Sequence, residues 1–184
     1  MQAQEIEQHL AELGQELLAQ GTKQPVRILL IGGAFMLTQI HNRANTNDID
    51  VLLKDVDDST TSTLYRTFKN AVRAVASKQN IPGSWLNDVI GDFIRDIGNV
   101  PEGTLWKTFY VLEVYIPPSD YILALKLLAG RQKDRNDIYA LRQQLLIQTR
   151  EQAQDLVDRY IPNKQVQQMN NLDVTLRTFF RTPS

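Results

Sequence analysis

Apolar residues first recur at helical spacing: Ile6, Leu10, Leu13 and Leu17 predict an amphipathic helix over residues 3–20 that ends near Gly21. The short apolar run 26–31 then predicts a strand. Gly32-Gly33 turns it into a short helix through Leu37 and Ile40, and a polar loop, 41–47, leads into a second strand over 48–53. Leu64, Phe68, Ala71 and Val75 mark a longer helix, of the length that carries a chain back to a neighbouring strand. Residues 80–108 read as irregular, with turn signals at Pro82-Gly83 and Pro101-Glu102-Gly103, and 109–116 alternates well enough for a third strand.

Pro117-Pro118 interrupts the pattern, and everything beyond it is helical. Ile122, Leu125, Leu128 and Ala129 face a core, followed by helices over 139–147, 151–160 and 169–180. The expected fold class is α+β: a small mixed sheet with helices, residues 1–117, and a helical C-terminal region, 118–184. No repeat or flexible linker separates the two, so the division is a change of element type.

Composition narrows the chemistry. A chain of 184 residues is long enough for one good core plus a helical annex. It has no cysteine, which excludes disulfides, thiolate metal sites and cysteine nucleophiles. The formal net charge of −1 gives no global attraction to polyanions, so any such site must be a local basic patch. No apolar run approaches the roughly 20 residues needed to span a bilayer. The acidic, amphipathic start is unlike a signal peptide. A soluble, cytoplasmic protein without a membrane partner is expected.

The most unusual local feature is Asp48-Ile49-Asp50. Residues i and i+2 of a strand share a face, so both acids point the same way beside the apolar Val51, Leu52 and Leu53. Two such carboxylates repel each other and are costly to desolvate, and a hard divalent cation would neutralise them. A solvated strand edge, or a bridge to nearby arginines, is the competing reading. Gly32-Gly33 permits close approach of a phosphate to a helix start, or simply makes a tight turn. Together the two motifs place a phosphate-binding turn beside a metal-binding pair.

On these residues, Gly32-Gly33-Ala34-Phe35-Met36-Leu37 and Arg43-Ala44-Asn45-Thr46-Asn47-Asp48-Ile49-Asp50, the chain resembles the DNA polymerase beta-type nucleotidyltransferase superfamily. Within it, the chain is most similar to minimal bacterial enzymes related to the abortive-infection AbiEii-type toxins. The segment from Tyr121 to Asp137, with Lys126, Arg131, Lys133 and Asp134, looks like a Lys- and Arg-bearing helix of that group, and Trp85–Asp88 and 152–160 match further segments. The resemblance covers roughly residues 25–162.

The resemblance implies that Asp48 and Asp50 hold two Mg²⁺ ions on an NTP substrate and that Gly32 and Gly33 cradle its phosphates. A third carboxylate is expected from a later strand. Glu113 is the candidate, since one acid interrupts an apolar strand there; a solvent-facing strand residue is the alternative. Asp88 and Asp92 are weaker candidates. Paired metals can serve both the attacking and leaving oxygens of such a transfer. The acceptor hydroxyl belongs to a tRNA, a protein or a small molecule, and the AbiEii-type likeness adds an antitoxin partner. A nucleotide- or partner-binding protein with little catalysis is the alternative.

Lys126 would share a face with Gly130, Lys133 and Asp137 if its helix is continuous, and would reach a triphosphate; otherwise it buries its stem and keeps its head wet. Arg131, Lys133, Asp134 and Asp137 read equally as nucleotide contacts or as ion pairs between helices. Arg43 is placed to meet a phosphate or the acids, and Thr46 to orient the acids by hydrogen bonding. His41 reads as a polar helix end, and Trp85 and Trp106 as core more than as stacking platforms. Two features depart from the family pattern: Ala34 stands where many relatives carry a hydroxyl, and the loop from Arg43 to Thr46 is a residue longer than the commonest form.

Overall fold

The computed structural model describes residues 1–54 and 62–180, without the side chains of Ile90, Asp92 and Arg95. The chain divides into two compact units: Met1–Gly91 with Glu102–Ile116, and Asp92–Pro101 with Pro117–Ser184. The expected boundary near Pro118 is accompanied by an excursion of residues 92–101 into the second unit.

The first unit is a mixed sheet covered by helices. Helix α1 (Ala3–Ala19) buries Ile6, Leu10, Leu13 and Leu17, the residues that share one helical face. At its start the Glu5 carboxylate accepts the Gln2 N–H at 2.6 Å. Strands β1 (Val26–Ile31), β2 (Ile49–Lys54), β3 (Leu86–Asn87), β4 (Thr104–Phe109) and β5 (Leu112–Ile116) lie in the order β3-β2-β1-β5-β4. The β1 strand pairs antiparallel with β2 and parallel with β5, while β2 and β3 are parallel. That last pairing is the return predicted from the length of the intervening helix, α3 (Thr63–Gln79), which Ser62 caps at its N-terminus and Asn80 ends at φ 52°.

Central β1 is apolar in nearly every position, as a strand buried on both faces requires. On one face, Val26, Ile28 and Leu30 join Ile49, Val51, Leu53, Leu112 and Val114, and this layer packs against α1 and α3. By alternation the other face carries Arg27, Ile31, Asp50, Lys54 and Glu113.

The segment 80–108 is more regular than its sequence suggests, containing β3, helix α4 (Ile90–Ile97) and β4. The predicted third strand over 109–116 is β5, the second arm of a hairpin: β4 and β5 are antiparallel, and the chain reverses at Tyr110, at φ 56°. Residues Leu105 and Thr104 of β4 are exposed, so this edge strand lacks the buried alternation that identifies strands in a sequence.

The second unit is helical: α5 (Ser119–Ala129), α6 (Arg135–Leu145), α7 (Arg150–Tyr160), α8 (Lys164–Met169) and α9 (Leu172–Phe179). The helix predicted over 169–180 is α9 with a separate α8 before it, the break falling at Asn171 in the left-handed region. α5 is buried nearly all round, with Tyr121, Ile122, Leu123, Ala124, Leu127 and Leu128 inside.

Candidate functional site

Strand β2 places the acid pair. Ile49, Val51 and Leu53 are drawn into the core, so Asp50 is turned to the opposite face, with Asp48 two residues before it at the strand's entry. Asp50 lies opposite Ile31, the last residue of β1, and beside Asn87 of β3. The Asn87 side-chain amide donates to Asp50 Oδ1 at 2.9 Å, while its own oxygen accepts the Val89 N–H at 3.2 Å. Asn87 is thereby fixed at both ends and holds one carboxylate oxygen of Asp50. The sequence reading includes Asn87 only within the segment Trp85–Asp88 and assigns it no role of its own.

The glycine pair is required by these same side chains. Gly32 has φ +63°, and a Cβ there would lie 2.2 Å from Asp50 Oδ2. A Cβ on Gly33 would lie 2.5 Å from Thr46 Oγ1 and 3.3 Å from an Arg43 nitrogen. Gly32, Gly33, Arg43, Thr46 and Asp50 therefore converge at one end of β1. Thr46 is buried; its hydroxyl donates to the backbone carbonyl of Asp48 at 3.1 Å, not to a carboxylate. Its backbone N–H and carbonyl are both bonded to Met1, at 2.9 and 2.6 Å. The loop entering the acid pair is thus pinned from two sides.

After the glycines, the short helix α2 (Gly32–Phe35) continues as one wide π-helical turn, Met36–Ile40, a feature that often accompanies functional sites. His41 ends it in the left-handed region with Nδ1 3.1 Å from the Leu37 carbonyl, the helix-end role expected of it.

The third acid is where the sequence reading needs correction. Glu113 shares the sheet face of Asp50, but the register sets Glu113 beside Arg27 and Asp50 beside Ile31. Four residues along β1 separate the two positions by about 13 Å. Glu113 instead accepts the Tyr115 hydroxyl at 3.0 Å, which raises the Tyr115 pKa. It is not a partner of the acid pair. Asp88 is buried and paired with Lys69 at 2.6 Å, and the Asp92 side chain lies outside the described residues. Trp85 is core: it is 1 % exposed and donates to the Val72 carbonyl at 3.0 Å. Trp106 is half-buried against the same core, with Lys107 over its ring.

Within the second unit, the expected continuous face from Lys126 to Asp137 does not form, because α5 ends at Ala129 and Gly130 turns at φ +58°. The turn brings the charges together in another way. Lys126 Nζ lies 2.8 Å from Asp134 and 2.7 Å from Asp137, all three residues at most 4 % exposed. Arg131 Nε adds a 2.8 Å bond to Asp134. Burial pushes the Asp134 carboxyl up, but the attraction of Lys126 and Arg131 outweighs it and holds the pKa below its ordinary value. The Lys126 head is dry and paired, unlike the wet head of the structural alternative. Lys133 is exposed.

Two hard oxygen donors, Asp48 and Asp50, beside a cradle that any Cβ would fill, suit a divalent cation. Among the described residues no group of three or more acids or histidines is placed to hold one.

A central strand running into a glycine turn, with an acid pair on its antiparallel neighbour, places the chain in the nucleotidyltransferase class. Over residues 8–171 it matches the family described as nucleotidyltransferase of unknown function (DUF6036), and it belongs to that family. Comparison with curated proteins and with solved structures gives no match. No helix among the described residues is long and apolar enough to cross a membrane.

Proposed function

We propose that the protein is a Mg²⁺-dependent nucleotidyltransferase that moves a nucleoside monophosphate from an NTP to an acceptor hydroxyl. The acceptor oxygen bonds to the α-phosphorus, the bond from that phosphorus to the oxygen bridging to the β-phosphate breaks, and pyrophosphate leaves. The hydroxyl proton passes to solvent. The observation that carries the reading is the left-handed Gly32 lying directly beneath the Asp50 carboxylate, which sets a backbone turn and an acid in contact.

In this reading Asp48 and Asp50 hold the metal, which supplies charge neutralisation on the triphosphate. Asn87 fixes the orientation of Asp50, so the carboxylate does not have to reorganise on binding. Gly32 and Gly33 leave room at the turn, Arg43 offers a guanidinium beside it, and Thr46 holds the backbone of Asp48 in place. Arg131 and Lys133, both exposed, remain candidates for nucleotide contact; Lys126 acts through the ion cluster it anchors.

The AbiEii-type resemblance extends the proposal to a cytoplasmic toxin held by an antitoxin partner, with a tRNA, a protein or a small molecule as acceptor. Pyrophosphate release from each NTP, with Mg²⁺ and a pool of cellular acceptors, tests the core of it. Turnover should vanish in Asp48→Asn and in Asp50→Asn; persistence in either sinks the reading. A second reading, nucleotide binding with little chemistry, is favoured by the distance of Glu113 from the pair. Calorimetry showing Mg²⁺–NTP binding without pyrophosphate release would select it.

A further inference from the structure

A feature of the second unit is not used by this proposed chemistry. Arg135, Tyr139 and Arg142 lie at i, i+4 and i+7 of α6, and so occupy one helical face. With Gln132, Thr178 and Phe179 they line a cavity of ≈ 440 Å³, within the size range of small-ligand sites. Among the described residues the lining holds two guanidinium groups and no acid, in a chain whose net charge is −1. The acids nearest in sequence, Asp134 and Asp137, are buried and committed to Lys126.

The two arginines are held differently. Arg142 donates to the carbonyls of Ile147 and Phe179 and stacks on the Phe180 ring at 3.9 Å, so its guanidinium is fixed in orientation. Those bonds use two of its five N–H groups. Burial lowers its pKa, a cost that a bound anion would offset. Arg135 is exposed, and its guanidinium sits 5.5 Å from the Tyr139 ring centre, with Arg142 at 5.8 Å. The Tyr139 ring is held edge-on by Phe179 at 6.1 Å. Fixed Arg142, exposed Arg135, the Tyr139 hydroxyl and the Gln132 amide can each donate a hydrogen bond to an anion.

We infer that this cavity binds a phosphate group of a nucleotide, with Arg142 as the preset donor and Arg135 as the closing one. Fork-shaped guanidinium groups match phosphate oxygens two at a time, and two positive charges favour an anion over a cation or a neutral group. The phosphate belongs either to a free nucleotide or to a nucleic-acid strand. The site is independent of Asp48 and Asp50 and needs no metal.

The test uses the full chain in a chelator, so that the acid pair plays no part. Binding of AMP and of a short fluorescein-labelled single-stranded RNA is measured for the native protein, Arg135→Gln and Lys23→Gln. Arg135 makes no hydrogen bond whose loss would unfold the helix, and an unchanged melting temperature checks this. Arg135→Gln should weaken binding about ten-fold, the effect of one charge-assisted pair. For the RNA it should also make the salt dependence shallower by about 0.7 in log–log slope. Lys23→Gln, which removes one positive charge at an exposed position elsewhere, should bind as the native protein does. Tighter binding of AMP identifies a free nucleotide as the source, and tighter binding of RNA identifies a strand. Absence of binding to both probes, equal binding by Arg135→Gln, or an equal loss in Lys23→Gln would each overturn the inference. Failure of nucleotidyl transfer in the Mg²⁺ assay would leave it standing.

Discussion

The side-chain amide of Asn87 is bonded to Asp50 Oδ1, and Asn87 is itself steadied by the Val89 N–H. A short parallel strand thus places an orienting amide on one acid of the proposed metal site. Removal of such a supporting residue usually lowers metal affinity without unfolding the protein. Asn87→Ala should reduce Mg²⁺ affinity about 10- to 100-fold, with the melting temperature little changed. Calorimetric titration with Mg²⁺–NTP reads this directly, and native affinity would remove Asn87 from the site.

Gly32→Ala is expected to be costly twice over. A left-handed conformation costs an L-residue about 1–2 kcal/mol, and the added methyl would lie 2.2 Å from Asp50 Oδ2. Thermal unfolding should shift down, and Mg²⁺-dependent turnover should be lost even in the protein that remains folded. Gly83→Ala is the control: a Cβ there meets nothing within 4 Å.

Lys126→Met leaves Asp134 and Asp137 buried without their shared cation. Removing one side of a buried ion pair typically costs about 3–5 kcal/mol. Adding Asp134→Asn and Asp137→Asn should restore much of the loss in urea unfolding. If the restored triple variant binds NTP as the native protein does, Lys126 is structural; a selective drop in NTP affinity would instead make it a phosphate contact.

The same cluster sets a pH dependence. Asp134 has a folded pKa below its ordinary value of 3.8. Its contribution to stability is therefore complete above that value and is lost as pH falls through the lower folded one. Urea midpoints measured from pH 6 downwards should be flat with respect to this group until about pH 4, then fall. Asp134→Asn should start lower and show a shallower acid limb.

Glu113→Gln provides the contrast. Because its strand neighbour is Arg27, the substitution should leave Mg²⁺–NTP affinity unchanged while returning the Tyr115 phenol toward its ordinary titration. The ultraviolet titration of tyrosine reads the second effect.

The parts of this protein that were legible in its sequence are those governed by local pattern. Ile6, Leu10, Leu13 and Leu17 share a helical face wherever the helix is placed, and a short run as apolar as β1, broken only by Arg27, has few alternatives to a central strand. The Gly32-Gly33 turn and the i, i+2 acids were visible because each violates a local expectation. Strand β4 was not, since an exposed edge carries no burial pattern. Glu113 misled because strand periodicity fixes a face but not a register, and the register is decided by the pairing of β5 with β1. The Lys126 cluster depended on Gly130 ending α5 at Ala129, whereas the spacing of Lys126, Gly130, Lys133 and Asp137 also fits one continuous helix.

Ile31, which ends the central strand, is the residue against which Asp50 is paired. The best-packed strand of the first unit is therefore also the abutment of its candidate chemistry. Such an arrangement leaves little freedom to improve one property without disturbing the other. Variants selected for heat tolerance should accumulate at peripheral positions such as Leu146 and Met169, exposed by 71 % and 81 %, and leave β1 untouched.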